Sequence, residues 1–165
     1  MSGDKVIYSG QGFSLKGEKS RFVLPPAFRK SVAESSDGKI LCLAKHERWN
    51  CLTGFGLSRK PELETQIALE QETAIRTNRE FDPDLRRIQL FGFIEIPFDA
   101  SGRFIMPDHL AGLGNLTADV FFQGAGSFFT LWNPEELYKM GAGWEGAQAA
   151  CRALAAENGA KGKKA

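Results

Sequence analysis

RFVLP, Arg21 to Pro25, returns as RFIMP, Arg103 to Pro107, 82 residues later (103 − 21 = 82), so two copies of one unit build this chain. Each copy places an arginine at the start of a strand, follows it with three apolar residues, and ends on a proline that opens a helical turn. The surroundings repeat in the same order. Turn-forming residues lie upstream, Lys16 to Ser20 in the first copy and Asp99 to Gly102 in the second. Downstream come an apolar strand (ILCLA from Ile40, VFF from Val120), a polar loop and a second strand (CLTGF from Cys51, FFTLW from Phe128). Units of this size are marginal alone, and the two halves are expected to fold against each other.

Outward from the repeat, Pro26 predicts the first turn of a helix over Ala27 to Glu34, with Phe28 and Val32 facing the core. In the second copy, Gly124 and Gly126 are expected to supply the positive φ of a short hairpin reversal. Asn133 and Pro134 read as the N-cap and first turn of a helix through Met140. Between the copies, Pro61 to Glu80 reads as a helix with a thin stripe of Leu63, Ile67 and Ile75, followed by a shorter helix from Pro83 to Leu90. FGFIEIP then forms the strand entering the second copy, and Trp144, Ala147, Cys151 and Leu154 give a last helix one apolar face. The division is a first unit over 11–58, a helical connector over 59–92, a second unit over 93–136, a C-terminal helix over 137–158 and a disordered tail over 159–165.

Charge is uneven although the net is only +1. Lys5, Lys16, Lys19, Arg21, Arg29 and Lys30 stand against Glu18 alone, whereas acids collect at Glu62, Glu64, Glu70 and Glu72. A local basic patch on a nearly neutral chain suits a polyanion. With 42% hydrophobic residues and no apolar run near the ~20 residues of a membrane span, an ordinary globular protein is expected. MSGDKVIYSGQ lacks the apolar core of a secretory signal, and three scattered cysteines make no disulfide framework, so a reducing cytoplasm is expected.

Enzyme signatures do not assemble. The GxG triplets at Gly10, Gly54 and Gly124 lack the rest of a dinucleotide or phosphate-loop pattern. Cys42, His46 and Cys51 lack a fourth metal ligand and are read as strand residues and a loop histidine, and no cofactor is implied. The most specific chemistry lies in Asp99, Ala100, Ser101, Gly102 and Arg103. Asp99 can accept the turn's backbone N–H groups, Gly102 can close the turn at positive φ, and Arg103 is then presented from a fixed base, with an Asp99–Arg103 ion pair as the structural alternative. Pre-organised arginines suit phosphates or guanine edges.

DASGRFIMPDHL, then VFFQGAGSFFTLW and NPEELYKM, resembles the second half of the MraZ family of transcriptional regulators, and the likeness covers Tyr8 to about Met140. The resemblance implies an α+β fold in which two tandem AbrB-like swapped-hairpin units form a pseudo-dimeric double-split β-barrel with peripheral helices. It implies a DNA-binding repressor of the division and cell wall gene cluster, on the nucleoid, that reads repeated promoter elements as a ring-like homo-oligomer. Arg21 and Arg103 would reach the groove of double-stranded DNA while Lys16, Lys19, Arg29 and Lys30 grip phosphates. The family pattern D-x-x-G-R-x-x-x-P is intact at Asp99, Gly102, Arg103 and Pro107, but the first copy has Gly17 and Ser20 in the aspartate and glycine slots, and Ala111 stands where Arg29 trails the first motif. Gly17 cannot anchor a turn through a side chain. An AbrB-like antitoxin or another transition-state-type regulator is the alternative reading, disfavoured by the helical, alanine-rich C-terminus.

Overall fold

The computed structural model describes the chain from residue 5 to 164, with side chains through residue 159. The first half runs β1 (Gln11–Ser14), β2 (Arg21–Val23), α1 (Pro26–Ser36), β3 (Ile40–Lys45) and β4 (Leu52–Phe55). Two helices follow, α2 (Arg59–Arg76) and α3 (Pro83–Phe91). The second half repeats the order as β5 (Ile94–Pro97), β6 (Arg103–Ile105), α4 (Asp108–Leu113), β7 (Val120–Gly124) and β8 (Phe129–Trp132). Helices α5 (Pro134–Tyr138) and α6 (Glu145–Lys164) close the chain. The protein is thus a mixed α+β fold.

The halves exchange strands. One antiparallel sheet has the order β1-β7-β8-β4-β3-β5, and β2 pairs with β6 in a separate two-stranded ribbon. The first strand of each half therefore pairs with the third strand of the other. Exchanging the two halves leaves every pairing unchanged, which is the mark of a pseudo-twofold axis. Two registers locate it. Phe22 lies opposite Phe104, its own counterpart in the repeat, and Thr53 lies opposite Thr130. Neither half can bury its sheet alone, because its outer strand is completed by the other half.

The core follows strand alternation. Leu41, Leu43, Leu52, Phe122, Phe129 and Leu131 point into one cluster with Phe28 and Val32 of α1. Neighbouring residues on the same strands, Phe121 and Trp132, point to the opposite face and meet Cys51, Leu137 and Cys151. Helix α6 covers that face through Trp144, Ala147 and Leu154, with the Trp144 ring edge-on to Trp49 at 4.6 Å. The sheet is thereby buried on both sides here, which is why FFTLW reads as a continuous apolar run.

Asn133 caps α5 as expected, accepting the Glu135 N–H at 3.0 Å. Several expectations need correction. Helix α2 begins at Arg59 and ends at Arg76 rather than spanning Pro61 to Glu80. Its stripe is Leu63, Ile67 and Ala74, while Ile75 is 74% exposed. At about 100° per residue, position 74 falls back in phase with 67 and position 75 turns away. Gly124 does not adopt positive φ; Gly126 alone does so in that reversal, at +87°. Gly124 is small for another reason, since a Cβ there would lie 2.5 Å from the Ser9 Cα. Helix α6 continues through Lys164, where a disordered tail over 159–165 was expected; residue 165 and the side chains from 160 onward lie outside the described residues.

Arg86 of α3 ties the connector down. Its Nε donates to Glu70 of α2 at 2.6 Å and its Nη1 donates to Glu47 of the β3–β4 loop at 2.5 Å. The paired carboxylates raise the guanidinium's pKa, and the hydrogen bond from Arg86 holds Glu70 below the usual carboxylate range.

Candidate nucleic-acid interface

The β2–β6 ribbon sets the interface. Alternation turns Phe22 and Phe104 inward, their rings 6.2 Å apart, and the residues on either side outward. Arg21 lies opposite Ile105, and Arg103 opposite Val23. Both arginines are exposed, and Val23 and Ile105 remain 40% and 55% exposed despite being apolar. One face thus carries two arginine–aliphatic pairs related by the pseudo-twofold. A two-stranded ribbon of this kind fits the major groove of B-DNA, where arginine can make a bidentate bond to guanine and an aliphatic side chain can meet a thymine methyl.

The turn before β6 is closed by Asp99. Its Oδ1 accepts the Ser101 and Arg103 N–H groups, each at 2.9 Å, and its Oδ2 accepts Arg103 Nε at 2.8 Å. The Arg103 backbone N–H is the largest influence holding the Asp99 carboxyl below its usual range; desolvation opposes it, and the Arg103 side chain and Ser101 N–H add to it. Gly102 takes φ +86° and donates its N–H to the Asp99 carbonyl at 2.9 Å. The ion pair and the presentation of Arg103 therefore coexist, with the guanidinium still largely exposed.

The turn before β2 reaches the same path by different means. Gly17 N–H donates to the Arg21 carbonyl at 2.8 Å, as Asp99 N–H does to that of Arg103 at 3.0 Å. Met106 N–H donates to the Ser20 carbonyl as Leu24 N–H donates to that of Gly102, at 3.0 and 2.8 Å. Without the aspartate and the glycine, the chain turns through Lys19 at φ 56° and Ser20 at φ 61°, both left-handed and both non-glycine. Arg21 has no carboxylate partner among the described residues.

Lys16, Lys19 and Lys30 are exposed, so the first half carries the lysines near its arginine. The Lys16 backbone N–H donates to Asp119 Oδ1 at 2.8 Å. Arg29, grouped with them from sequence, is half-buried: its Nη2 donates to the Leu24 carbonyl at 3.2 Å, and its Nε is buried without a hydrogen-bond partner among the described residues. Val23 and Ile105 escaped the sequence reading, although their place between two arginines of a strand pair was visible once β2 and β6 were known to pair.

The cysteines and His46 do not converge. Among the described residues no three His, Cys, Asp or Glu side chains come together as metal ligands. Burial pushes the Cys42 and Cys51 thiols up to about 12, keeping both protonated. His46 stacks on Trp49 at 4.3 Å, and its Nδ1 accepts the Arg48 and Trp49 N–H groups. Among the described residues no helix is long and apolar enough to cross a membrane.

Comparison with known proteins finds relatives that share one name. No family model matches the chain. The chain is 32% identical over 117 residues to the transcriptional regulator MraZ of Parvibaculum lavamentivorans, covering 70% of this chain and 69% of that protein. It is 30% identical over 123 residues to the transcriptional regulator MraZ of Rhodospirillum rubrum, covering 72% and 74%. A third relative, the transcriptional regulator MraZ of Caulobacter vibrioides, is 31% identical over 121 residues, covering 71% and 70%. With the paired Arg-Phe-x-x-Pro motifs and the exchanged strands, these likenesses establish that the chain belongs to the MraZ family of transcriptional regulators.

Proposed function

We propose that the protein is a DNA-binding transcriptional repressor that occupies repeated elements in the promoter of the division and cell wall gene cluster. In this reading the two halves are AbrB-like units joined as a pseudo-dimeric double-split barrel, and the protein acts on the nucleoid in the cytoplasm. The observation that carries the reading is the outward face of the β2–β6 ribbon, where Arg21 and Arg103 stand in related positions beside Ile105 and Val23. The arginines read base edges, and Lys16, Lys19 and Lys30 supply the sequence-independent grip on phosphates.

Occupancy of several elements at once requires several copies. Leu69, Ile75, Leu85 and Ile88 leave exposed apolar side chains on α2 and α3, a feature suited to contacts between copies in a ring. Each added copy raises the effective concentration of its neighbours' sites on repeated DNA. The test is a mobility-shift titration with DNA from upstream of the chain's own operon against a scrambled duplex, alongside light scattering. Selective retardation by a species several protomers in mass is expected. Equal retardation of both duplexes, or a monomer mass at micromolar concentration, contradicts the proposal.

A further inference from the structure

We propose that Arg29 of the first half is a positioning residue for Arg103 of the second, bracing the Asp99–Arg103 turn across the pseudo-twofold instead of gripping a phosphate. The inference rests on the DNA-binding reading above. Its basis is the contact between the halves. A Cβ on Gly102 would lie 2.5 Å from Arg29 Nε, 2.9 Å from Arg29 Cζ and 2.7 Å from the Leu24 carbonyl oxygen, so the guanidinium occupies the space that a side chain would take. Leu24 joins the same contact from both ends of its residue. Its N–H donates to the Gly102 carbonyl at 2.8 Å, and its carbonyl accepts Arg29 Nη2 at 3.2 Å.

The buried Nε is the second sign. A guanidinium nitrogen removed from water without a partner opposes folding, and it is tolerated only where the side chain is held by packing. Arg29 is only half-exposed and commits Nη2 to the Leu24 carbonyl and Nε to the packed contact, which leaves fewer donors for a phosphate than an exposed side chain would offer. The other half shows the complementary arrangement. The counterpart of Arg29 is Ala111 (29 + 82 = 111) and the counterpart of Gly102 is Ser20 (102 − 82 = 20). Where the crossing residue is arginine the turn residue is glycine, and where it is alanine the turn residue carries a Cβ. The second arginine is therefore braced by Asp99 from its own half and by Arg29 from the other, whereas Arg21 has neither support.

The test uses the full chain with Arg29→Ala and Arg29→Lys, read on DNA from upstream of its own operon and on a scrambled duplex over a salt series, with amide exchange of Leu24, Ser101 and Arg103 read without DNA. Lysine keeps the charge a phosphate needs but lacks the planar fork that packs on Gly102. Both variants are expected to exchange these amides about tenfold faster, to lose about tenfold in preference for the operon duplex, and to keep the parent's salt slope. The drop in preference seen with Arg29→Ala should be largely absent from an Arg103→Ala background, because the brace acts through that arginine. A salt slope shallower by about 0.9 in Arg29→Ala, restored by Arg29→Lys with turn exchange unchanged, makes Arg29 a phosphate contact and overturns the proposal. Should the parent bind neither duplex, the DNA reading fails; faster exchange of the turn then still supports the brace, and parental exchange rules it out.

Discussion

The turns before Arg21 and Arg103 follow the same backbone route with opposite chemistry. The second uses a carboxylate and a glycine, so Asp99 ties the amides together and Gly102 takes φ +86° without steric penalty. The first keeps the hydrogen bond from Gly17 to the Arg21 carbonyl but turns through Lys19 and Ser20 in the left-handed region. Strand pairing at Phe22 and Phe104 forces both turns onto one path, so the path survives where the local sequence no longer favours it. The structure thus holds one arginine tightly and leaves the other loosely held among lysines; under the proposed DNA-binding function, selectivity would be weighted to Arg103 and general affinity to the first half.

The largest effect on folding is expected at Gly102. Gly102→Ala adds a Cβ at positive φ against Leu24 and Arg29 and should lower unfolding free energy by about 2–3 kcal/mol in chemical denaturation. A loss of a few tenths only would mean that the turn shifts freely. Replacing Lys16, Lys19 and Lys30 together by alanine should weaken binding to every duplex and flatten the salt slope by about 0.9 for each phosphate no longer gripped, with little change in thermal stability. A slope equal to the parent's would remove these lysines from the interface. Ser20→Gly relieves left-handed strain in the weaker turn and should stabilise by about 1 kcal/mol, the opposite sign from a substitution at its counterpart. Destabilisation by that variant would show that the serine side chain contributes more than its conformation costs.

The smallest effect is a titration confined to one turn. The Asp99 carboxyl ionises more readily in the folded chain, so its ionisation favours the folded turn at every pH above the unfolded aspartate value of about 3.9. That contribution disappears as pH falls through the lower folded value. Ser101 and Arg103 amide resonances should therefore shift with a midpoint below about 3.9. A midpoint at or above the unfolded value contradicts the hydrogen bonding described for this turn.

The sequence carried the repeat, the helix start at Pro26, the inward Phe28 and Val32, and the Asn133 cap, because each depends on short-range spacing or local chemistry. It did not carry the exchange of strands. Period-2 patterning says which face of β1 is buried but not that β7 of the other half will cover its edge. The Asp99–Gly102–Arg103 turn was legible for the same local reason as the cap. The direction of Arg29 was not, since only the pairing of β2 with β6 brings it against Gly102. Ile75 was misread because one residue of helical phase separates a buried position from an exposed one.

Binding by Arg103→Ala and Arg21→Ala on the operon's upstream duplex and on its scrambled counterpart tests most directly whether the ribbon face reads DNA. Both variants should keep the parent's fold and oligomeric mass. Arg103→Ala should lose about 1–3 kcal/mol of discrimination between the two duplexes, the worth of a bidentate base contact, and Arg21→Ala should lose more overall affinity than selectivity. If Arg103→Ala chooses the upstream duplex as sharply as the parent does, the Asp99–Arg103 turn is structural and the ribbon face does not read the sequence.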